Sequence, residues 1–564
     1  MSLPAVDGQG SFFGVDQLLA SLFAGPGPDP YGAEGAGRFV FFAQEIWPKL
    51  VAKRAVLATM YCADNGRPAE EPVRMLGVSI LQFMERLPDR QAAEACGFDL
   101  RWKLALHLEV DAEAFHPTTL THFRQRLVEH GLERVAFEGV LDFLRDRGYL
   151  SRRSKQRLDS THILGLVRRM SRLDCVRETL RLALEELDGM GPGDRPGSWP
   201  TWIERYVESQ VDYKSSEEVL RAKMTQAGED ARDLLAWVDT WGPDVRPGER
   251  VQLLRRVFGE NFEVTATGPV EKLRAQPTGA VHNPHNPDAQ WSSKSATDKK
   301  KEWVGHKVQV AETVEDAPRA KGEPTRAVLT SIVTQAATES DKAGMAQTQE
   351  EQQALDLAPP SVLYTDGAYV SGPALHEAKE EGRELMGPAP ASPKQGGRFR
   401  TEDFTVDVEH RRATCPAGKE STQCSRLEEG ATGQVSFRFE WSTACRECPL
   451  RPSCVAEDQP HRTLTVGEHH TLLQARREFM KTPAFPDEMK HRNAIEGTQS
   501  ELVRGYGLRK ARYRGSAKVR LQNYLIGAAC NIKRVYRRTV WEAKHCARTL
   551  AGRVLSTPET AVYA

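Results

Sequence analysis

Apolar residues recur at three- and four-residue steps through residues 38–148, as at Leu76, Ile80, Leu81 and Met84 and more loosely at Phe123, Leu127 and Leu132. That period predicts amphipathic helices packed as a compact all-α domain. Pro72 and Pro117 stand where helices begin, and Thr118 with Thr119 could cap the second. Residues 121–130 (THFRQRLVEH) form an arginine-bearing helix that could enter a major groove or remain a solvated amphipathic helix. Residues 1–37, rich in Gly, Pro and Ala, read as a flexible leader.

The period then changes. Gln156–Leu164 (QRLDSTHIL) is a short β-branched strand holding Asp159, an acid that is costly in a buried strand unless paired or metal-bound. Helical periodicity returns from Cys175 to about Val264, split by prolines and glycines at 189–200, and predicts a helical insertion. Residues 282–291 (HNPHNPDAQW) read as a loop, and 303–313 (WVGHKVQVAET) and 326–335 (RAVLTSIVTQ) as strands. Residues 339–356 are polar and suit a helix. Residues 361–364 (SVLY) form a buried strand running into Thr365, Asp366 and Gly367, followed by a helix at 373–381 and a short strand at 383–386. The order predicts an α/β core, a mixed sheet flanked by helices.

Residues 491–515 (HRNAIEGTQSELVRGYGLRKARYRG) begin as a helix in which Arg492 and Glu496 share one face and Ile495 and Leu502 another. Gly505, Tyr506 and Gly507 stop it, and a run of arginines and lysines follows. Functional groups in α/β sheets collect at strand ends, and Gly367 leaves room there. Asp159 and Asp366 from strands and Glu496 from a packed helix could therefore line one acidic pocket, whose hard oxygens suit Mg²⁺ or Mn²⁺. Each acid alone is more often a surface or capping residue; the joint pattern is the signal. Arg492 could hold a phosphate or orient the carboxylate, or make an ordinary i,i+4 ion pair worth about 0.3–0.5 kcal/mol. Further on, Val519, Tyr524, Leu525, Ala528 and Ile532 predict a closing helix on the sheet. Arg504, Arg509, Lys510, Arg512, Arg514 and Lys518 would stay free for phosphates, giving salt-sensitive affinity without base readout.

Composition changes this picture little. A chain of 564 residues fits roughly three or four domain-sized units. Hydrophobic and charged fractions of 40% and 27% are ordinary for a soluble protein. Net charge is zero, but its distribution is not even: residues 504–538 contain no Asp or Glu, and 339–356 is acidic. No apolar run approaches the ~20 residues of a membrane span, and no secretory signal opens the chain, so a cytoplasmic protein is expected.

Ten cysteines without a signal favour thiols or a metal site over disulfides. Five of them, Cys415, Cys424, Cys445, Cys448 and Cys454, fall within forty residues, between flanks that read as strands. Cys415, Cys445, Cys448 and Cys454 could close a tetrahedral, structural Zn²⁺ site with Cys424 to spare. Free thiols, or a redox pair at Cys445 and Cys448, are the alternative. Cys62, Cys96, Cys175, Cys530 and Cys546 are scattered and read as packing residues. His282 and His285 could bind a metal but fit a solvated loop better, His162 could approach the acidic pocket, and His469 with His470 begins a helix.

In these motifs the chain resembles bacterial insertion-sequence transposases of the DDE class, with an RNase H-like catalytic core. Four stretches bear the likeness: LDSTHI with Asp159; PDAQW leading into GHKVQVAET; YTDGAY with Asp366; and R-x-x-x-E (Arg492, Glu496) followed by GLRKARYRG. GRPAEEPVRMLGVSILQFMERLPDRQAAE, LRWKLAL and TTLTHFRQRL look like the helical domain of such proteins. The likeness spans about residues 38–535. It departs at Met489 and Val503, where relatives often place Tyr and Lys, although Arg504 adjoins the latter.

The resemblance implies an RNase H-like mixed sheet divided as 151–175, 282–394 and 469–545. It also implies an N-terminal helical DNA-binding domain at 38–150, a helical insertion at 176–281, a Cys-rich β insertion at 395–468 and a tail at 546–564. Two Mg²⁺ or Mn²⁺ ions ~3.5–4 Å apart would be held by Asp159, Asp366 and Glu496. They would serve cleavage at the element's ends and strand transfer into target DNA. The partners implied are double-stranded DNA and a second copy of the chain, since two ends must meet, in a nucleoid-associated cytoplasmic setting. A catalytically inactive DNA-binding relative and a metal-dependent nuclease without strand transfer are the competing readings.

Overall fold

The computed structural model describes residues 1, 3 and 36–555, except 63–64, 152, 192–193, 210–215, 242–245, 265–269, 297–298, 316, 393–396 and 431–432. The expected leader lies almost wholly outside these residues, as do the end of the expected tail and the Cys546 side chain.

The first region is helical. α1 (Gly37–Phe41) passes through a π turn into α2 (Trp47–Val51), followed by α3 (Arg54–Ala58), α4 (Pro72–Glu85), α5 (Asp89–Phe98), α6 (Leu100–Ala105), α7 (Thr118–Glu129) and α8 (Val135–Asp146). Pro72 takes the first position of α4, where its missing N–H has no intrahelical partner to lose. Neither Thr118 nor Thr119 caps α7; the ring of His116 instead accepts the Thr118 N–H at 3.3 Å.

β1 (Gln156–Leu164) opens the sheet, and the chain leaves it for the insertion: α9 (Arg172–Met190), α10 (Trp199–Ile203), α11 (Glu217–Asp239), α12 (Glu249–Asn261) and a ribbon of β2 (Phe262–Val264) and β3 (Val270–Lys272). These helices enclose their own core around Leu180, Trp202, Leu234 and Leu254. The chain returns through β4 (Gln290–Ala296), β5 (Lys299–Thr313), β6 (Leu329–Ala336), α13 (Asp341–Ala354), β7 (Val362–Tyr364), α14 (Gly372–Glu380) and β8 (Glu384–Met386).

β5 lies antiparallel between β6 and β1, β7 runs parallel to β1, and β8 runs parallel to β7. The order β6-β5-β1-β7-β8 is that of a mixed sheet consistent with the expected RNase H-like core. β4 has no counterpart in the sequence reading, which ended a loop at Trp291. Its Ser- and Lys-rich stretch lacks apolar alternation, and it is a strand only because β5 extends beyond β1 and offers it a ladder.

The Cys-rich insertion is a small β unit of β9 (Thr405–Asp407), β10 (Arg412–Thr414), β11 (Gln423–Glu428), β12 (Val435–Glu440) and β13 (Thr463–Gly467), closed over Phe404, Phe439, Trp441 and Leu464. α15 (His470–Met480) and α16 (Ala484–Tyr506) lead back to the sheet, and α17 (Ser516–Leu555) covers it. Val519, Leu525, Ala528 and Ile532 on α17 are all buried. Asn531 exchanges two hydrogen bonds with the backbone of Leu329 on β6, at 2.8 and 2.9 Å.

The N-terminal helices do not form a core of their own. Phe83, Phe137, Val140 and Leu144 share one continuous apolar cluster with Val310 and Ile332 of the sheet, Ile495 of α16 and Ile532 of α17. Gly527 of α17 is where the contact is closest: a Cβ there would lie 3.0 Å from the Phe137 ring. Among the described residues, no helix is long and apolar enough to cross a membrane.

Because the core is shared, Phe137→Ala should cost about 3–5 kcal/mol and lower the melting of the sheet region and the N-terminal helices together. Calorimetry showing the N-terminal helices melting separately, with the rest unmoved, would contradict a common core.

Candidate active site

Asp159 and Asp366 meet because β1 and β7 are parallel neighbours. Arg157 sits beside Tyr364 in that pairing, and carrying the register onward sets Asp159 level with Asp366, just beyond the end of β7. There the chain turns: the Ala368 N–H donates to the Asp366 carboxylate at 2.8 Å, and the space left by Gly367 is taken by the Pro388 carbonyl, 3.2 Å from where a Cβ would be. Glu496 comes from the middle of α16 with a side chain still 70% exposed.

Two of the three acids, Asp159 and Glu496, share one guanidinium. Arg492 donates to Glu496 at 3.1 Å, one turn away on its own helix, and to Asp159 at 2.9 Å across the interface. The i,i+4 helix ion pair is formed, and the same guanidinium reaches across to Asp159. Burial is the largest influence on Asp159 and lifts its carboxyl above the ordinary value, against the pull of Arg492 and the Ser160 N–H, with Asp366 adding to the rise. Arg492 supplies the charge that a buried carboxylate beside a second acid requires. The Nε of Arg492 is buried and makes no hydrogen bond in the protein. Among the described residues, no group of three or more His, Cys, Asp or Glu side chains is arranged as a metal site.

α16 is held against β1 by a network that periodicity did not reveal. Glu312 on β5 is fully buried, with Arg157 of β1 donating at 2.6 Å, Arg534 of α17 at 2.7 Å, and the Thr498 hydroxyl 2.8 Å from both oxygens. Arg157 also reaches the His491 carbonyl at 3.1 Å, beside Arg492, and Arg534 reaches Glu501 at 2.9 Å. Gln499 adds a bond to the Ser160 carbonyl at 3.2 Å. Burial pushes the Glu312 carboxyl up, and Arg534, Arg157 and Thr498 more than reverse it, leaving it below the ordinary range. The signal in the sequence was an acid among the valines and alanine at the end of the strand, which by itself names no partner.

The basic strip divides into braces and free cations. Residues beyond Gly507 join the edge of β1: Leu164 N–H donates to the Arg509 carbonyl and Ala511 N–H to the Leu164 carbonyl, each at 2.8 Å. Arg509 does not stay free for phosphates, because its guanidinium turns in to the His162 carbonyl at 2.7 Å and Thr161 Oγ1 at 3.2 Å. Arg512 likewise donates to the Leu87 carbonyl at 2.6 Å and covers the Phe83 ring. Strand-end and helix-end carbonyls left open in the core draw these two inward. Arg504, Lys510 and Arg514 are exposed and Lys518 half-buried, and among the described residues none of them is ion-paired. Met489 and Val503, the points of departure from the resemblance, pack against apolar neighbours.

Other candidates fall elsewhere. The arginines expected on the outer face of α7 are engaged: Arg124 is buried in an ion pair with Asp89, and Arg126 lies over the Tyr61 ring. His162 stacks on Trp303 at 5.0 Å, and burial with Arg509 brings it down to about 4. The 282–291 loop is not solvated. His282 is buried near Trp291, His285 lies 2.7 Å from Glu178, and Asn286 and Asp288 accept the Gly515 and Ser516 N–H groups that start α17.

In the Cys-rich unit, burial raises the Cys454 thiol to about 11, Arg462 opposes this, and Cys445, Cys415 and Cys448 all lie near enough to add to the rise. Cys424 is not among those neighbours; it sits on β11 opposite Phe439.

Residues 414–536 match the family model described as Transposase DDE domain, and residues 43–126 match that described as Transposase domain (DUF772). The first takes in the cysteines, Arg492, Glu496 and the basic strip; the second takes in most of the N-terminal helices. No curated protein matches the chain.

Glu312→Gln should strand Arg157 and Arg534 in the interior at a cost of about 3–5 kcal/mol. Since the folded carboxyl is depressed, its stabilising contribution is present above the ordinary value of about 4.3 and lost as pH falls through the folded value. Thermal melts between about pH 3 and about pH 7 should show a smaller acid-side fall in the variant; an identical fall would remove Glu312 from the network's charge balance.

Proposed function

We propose that this chain, which its two transposase-domain matches support as an insertion-sequence transposase of the DDE type, cuts DNA at the element's ends and joins the freed end to target DNA. The observation behind this is Arg492 joining Asp159 to Glu496, with Asp366 level with Asp159 at the neighbouring strand end, at the edge of β1 that the basic strip also joins.

The donor set fits Mg²⁺ or Mn²⁺ in its chemistry: three hard carboxylates, two of them already bound to a shared positive group. A pair of such ions, when held by Asp159, Asp366 and Glu496, supplies an activated water or DNA 3′-hydroxyl and steadies the leaving oxygen of an in-line displacement at phosphorus. The residues of the chain do the rest. Arg492 can exchange a carboxylate for a DNA phosphate through its two terminal amino groups while staying on the helix that presents Glu496. Arg504, Lys510, Arg514 and Lys518 hold the backbone, while Arg509 and Arg512 keep the strip in line with β1. No covalent enzyme intermediate is required, and two copies of the chain bring two ends together. Cys415, Cys445, Cys448 and Cys454 would hold a structural Zn²⁺ that staples the small β unit.

A strand-transfer assay on DNA bearing the element's ends distinguishes joined product, the expected outcome, from cutting alone or binding alone. Glu496→Gln should bind DNA as the parent does and lose product about a thousandfold, the several kcal/mol of charge stabilisation such a site supplies. Retained cleavage removes Glu496 from the site. Elemental analysis of the purified chain should find about one zinc per chain, absent from Cys448→Ser; a metal-free wild type sinks the zinc assignment.

A further inference from the structure

The reaction proposed above makes no use of the arm formed by β4 and the first half of β5. β5 runs on where β1 stops: Leu164 is paired with Gly305, and the residues of β5 before it pair with β4. The result is a two-stranded ribbon leaving the sheet at the end of β1. Its sequence, residues 290–305, has Lys294, Lys299, Lys300 and Lys301 against Asp298 and Glu302.

Lys294 stands directly opposite Lys301, and both are exposed. Like charges directly opposite in an antiparallel pair repel, and a ribbon without further strands has little stability to spare. Glu302 alternates to the other face and lies 3.9 Å from Arg169, and among the described residues neither lysine has an ion-pair partner. The two lysines share a face with Trp303, which stacks on His162 of β1. Lys294 also acts on the Asp159 carboxyl, so the arm lies within the field of the site. On the other flank of β1, Lys510 is bridged to Leu164, so cations stand on both sides of the strand end.

We propose that the ribbon is a DNA clamp, with Lys294 and Lys301 neutralising backbone phosphates of the duplex that enters between the arm and the Lys510 strip. This rests on the reading of the acidic site as a DNA-cutting centre. The polyanion removes the repulsion that the free protein retains, so the lysine pair trades stability of the arm for affinity.

The test uses the full chain and a random-sequence duplex titrated over a range of salt. Lys294→Ala with Lys301→Ala should make the dependence of log affinity on log salt shallower by about two units, roughly 0.9 for each lost phosphate contact. Lys301→Glu, which turns the repulsive pair into an attractive one, should raise the Tm while weakening duplex binding. An unchanged salt slope in the double variant, or a Tm that falls in Lys301→Glu, overturns the clamp. If the wild type binds and cuts and the double variant keeps its slope, the clamp alone fails. If the wild type binds no duplex, the site reading and the clamp both fail.

Discussion

A carboxylate with no access to water sits in the middle of this sheet. Glu312 can remain there only because guanidiniums from β1 and α17 and a hydroxyl from α16 close on it together, each compensating a desolvation that none could offset alone. The same contacts fix where α16 lies. Thr498 and Glu501 are bound through Arg534, the His491 carbonyl through Arg157, and Glu496 with Arg492 fall between these anchors. The exposed acid of the site is thus positioned by a buried one, and the precision of the surface depends on the charge balance of the interior.

The same electrostatic logic governs the site itself. Asp159 is buried beside Asp366 and would favour its neutral form, but Arg492 stands against it and ties it to Glu496. That guanidinium is the positive charge shared by Asp159 and Glu496. Divalent ions, with greater charge and a demand for oxygen donors, are the natural competitors for that position. The basic strip follows a related division. Those side chains that find open carbonyls become braces, and those that do not remain at the surface.

The N-terminal helices contribute to this arrangement through their packing. Their apolar faces are the other half of the core that α17 and the sheet begin, so α17 is clamped from both sides and Arg534 is held at Glu312. On α7, Arg124 is occupied with Asp89.

Much of the core was legible along the chain because period and punctuation are local properties. β1 ends where expected, α16 stops at Gly507 in a left-handed conformation with φ 77°, and the positions expected to bury α17 do so. The succession of strands and helices along the chain could be anticipated, and Asp159, Asp366 and Glu496 could be singled out by type and order. What the chain did not disclose was the partner of each charge. Whether Arg509 meets a phosphate or the His162 carbonyl, whether Glu312 is solvated or enclosed, and whether β4 is loop or strand depend on groups distant in sequence. A charged side chain has the same local pattern in either state; desolvation and the geometry of its neighbours choose between them, and these exist only once the chain has folded.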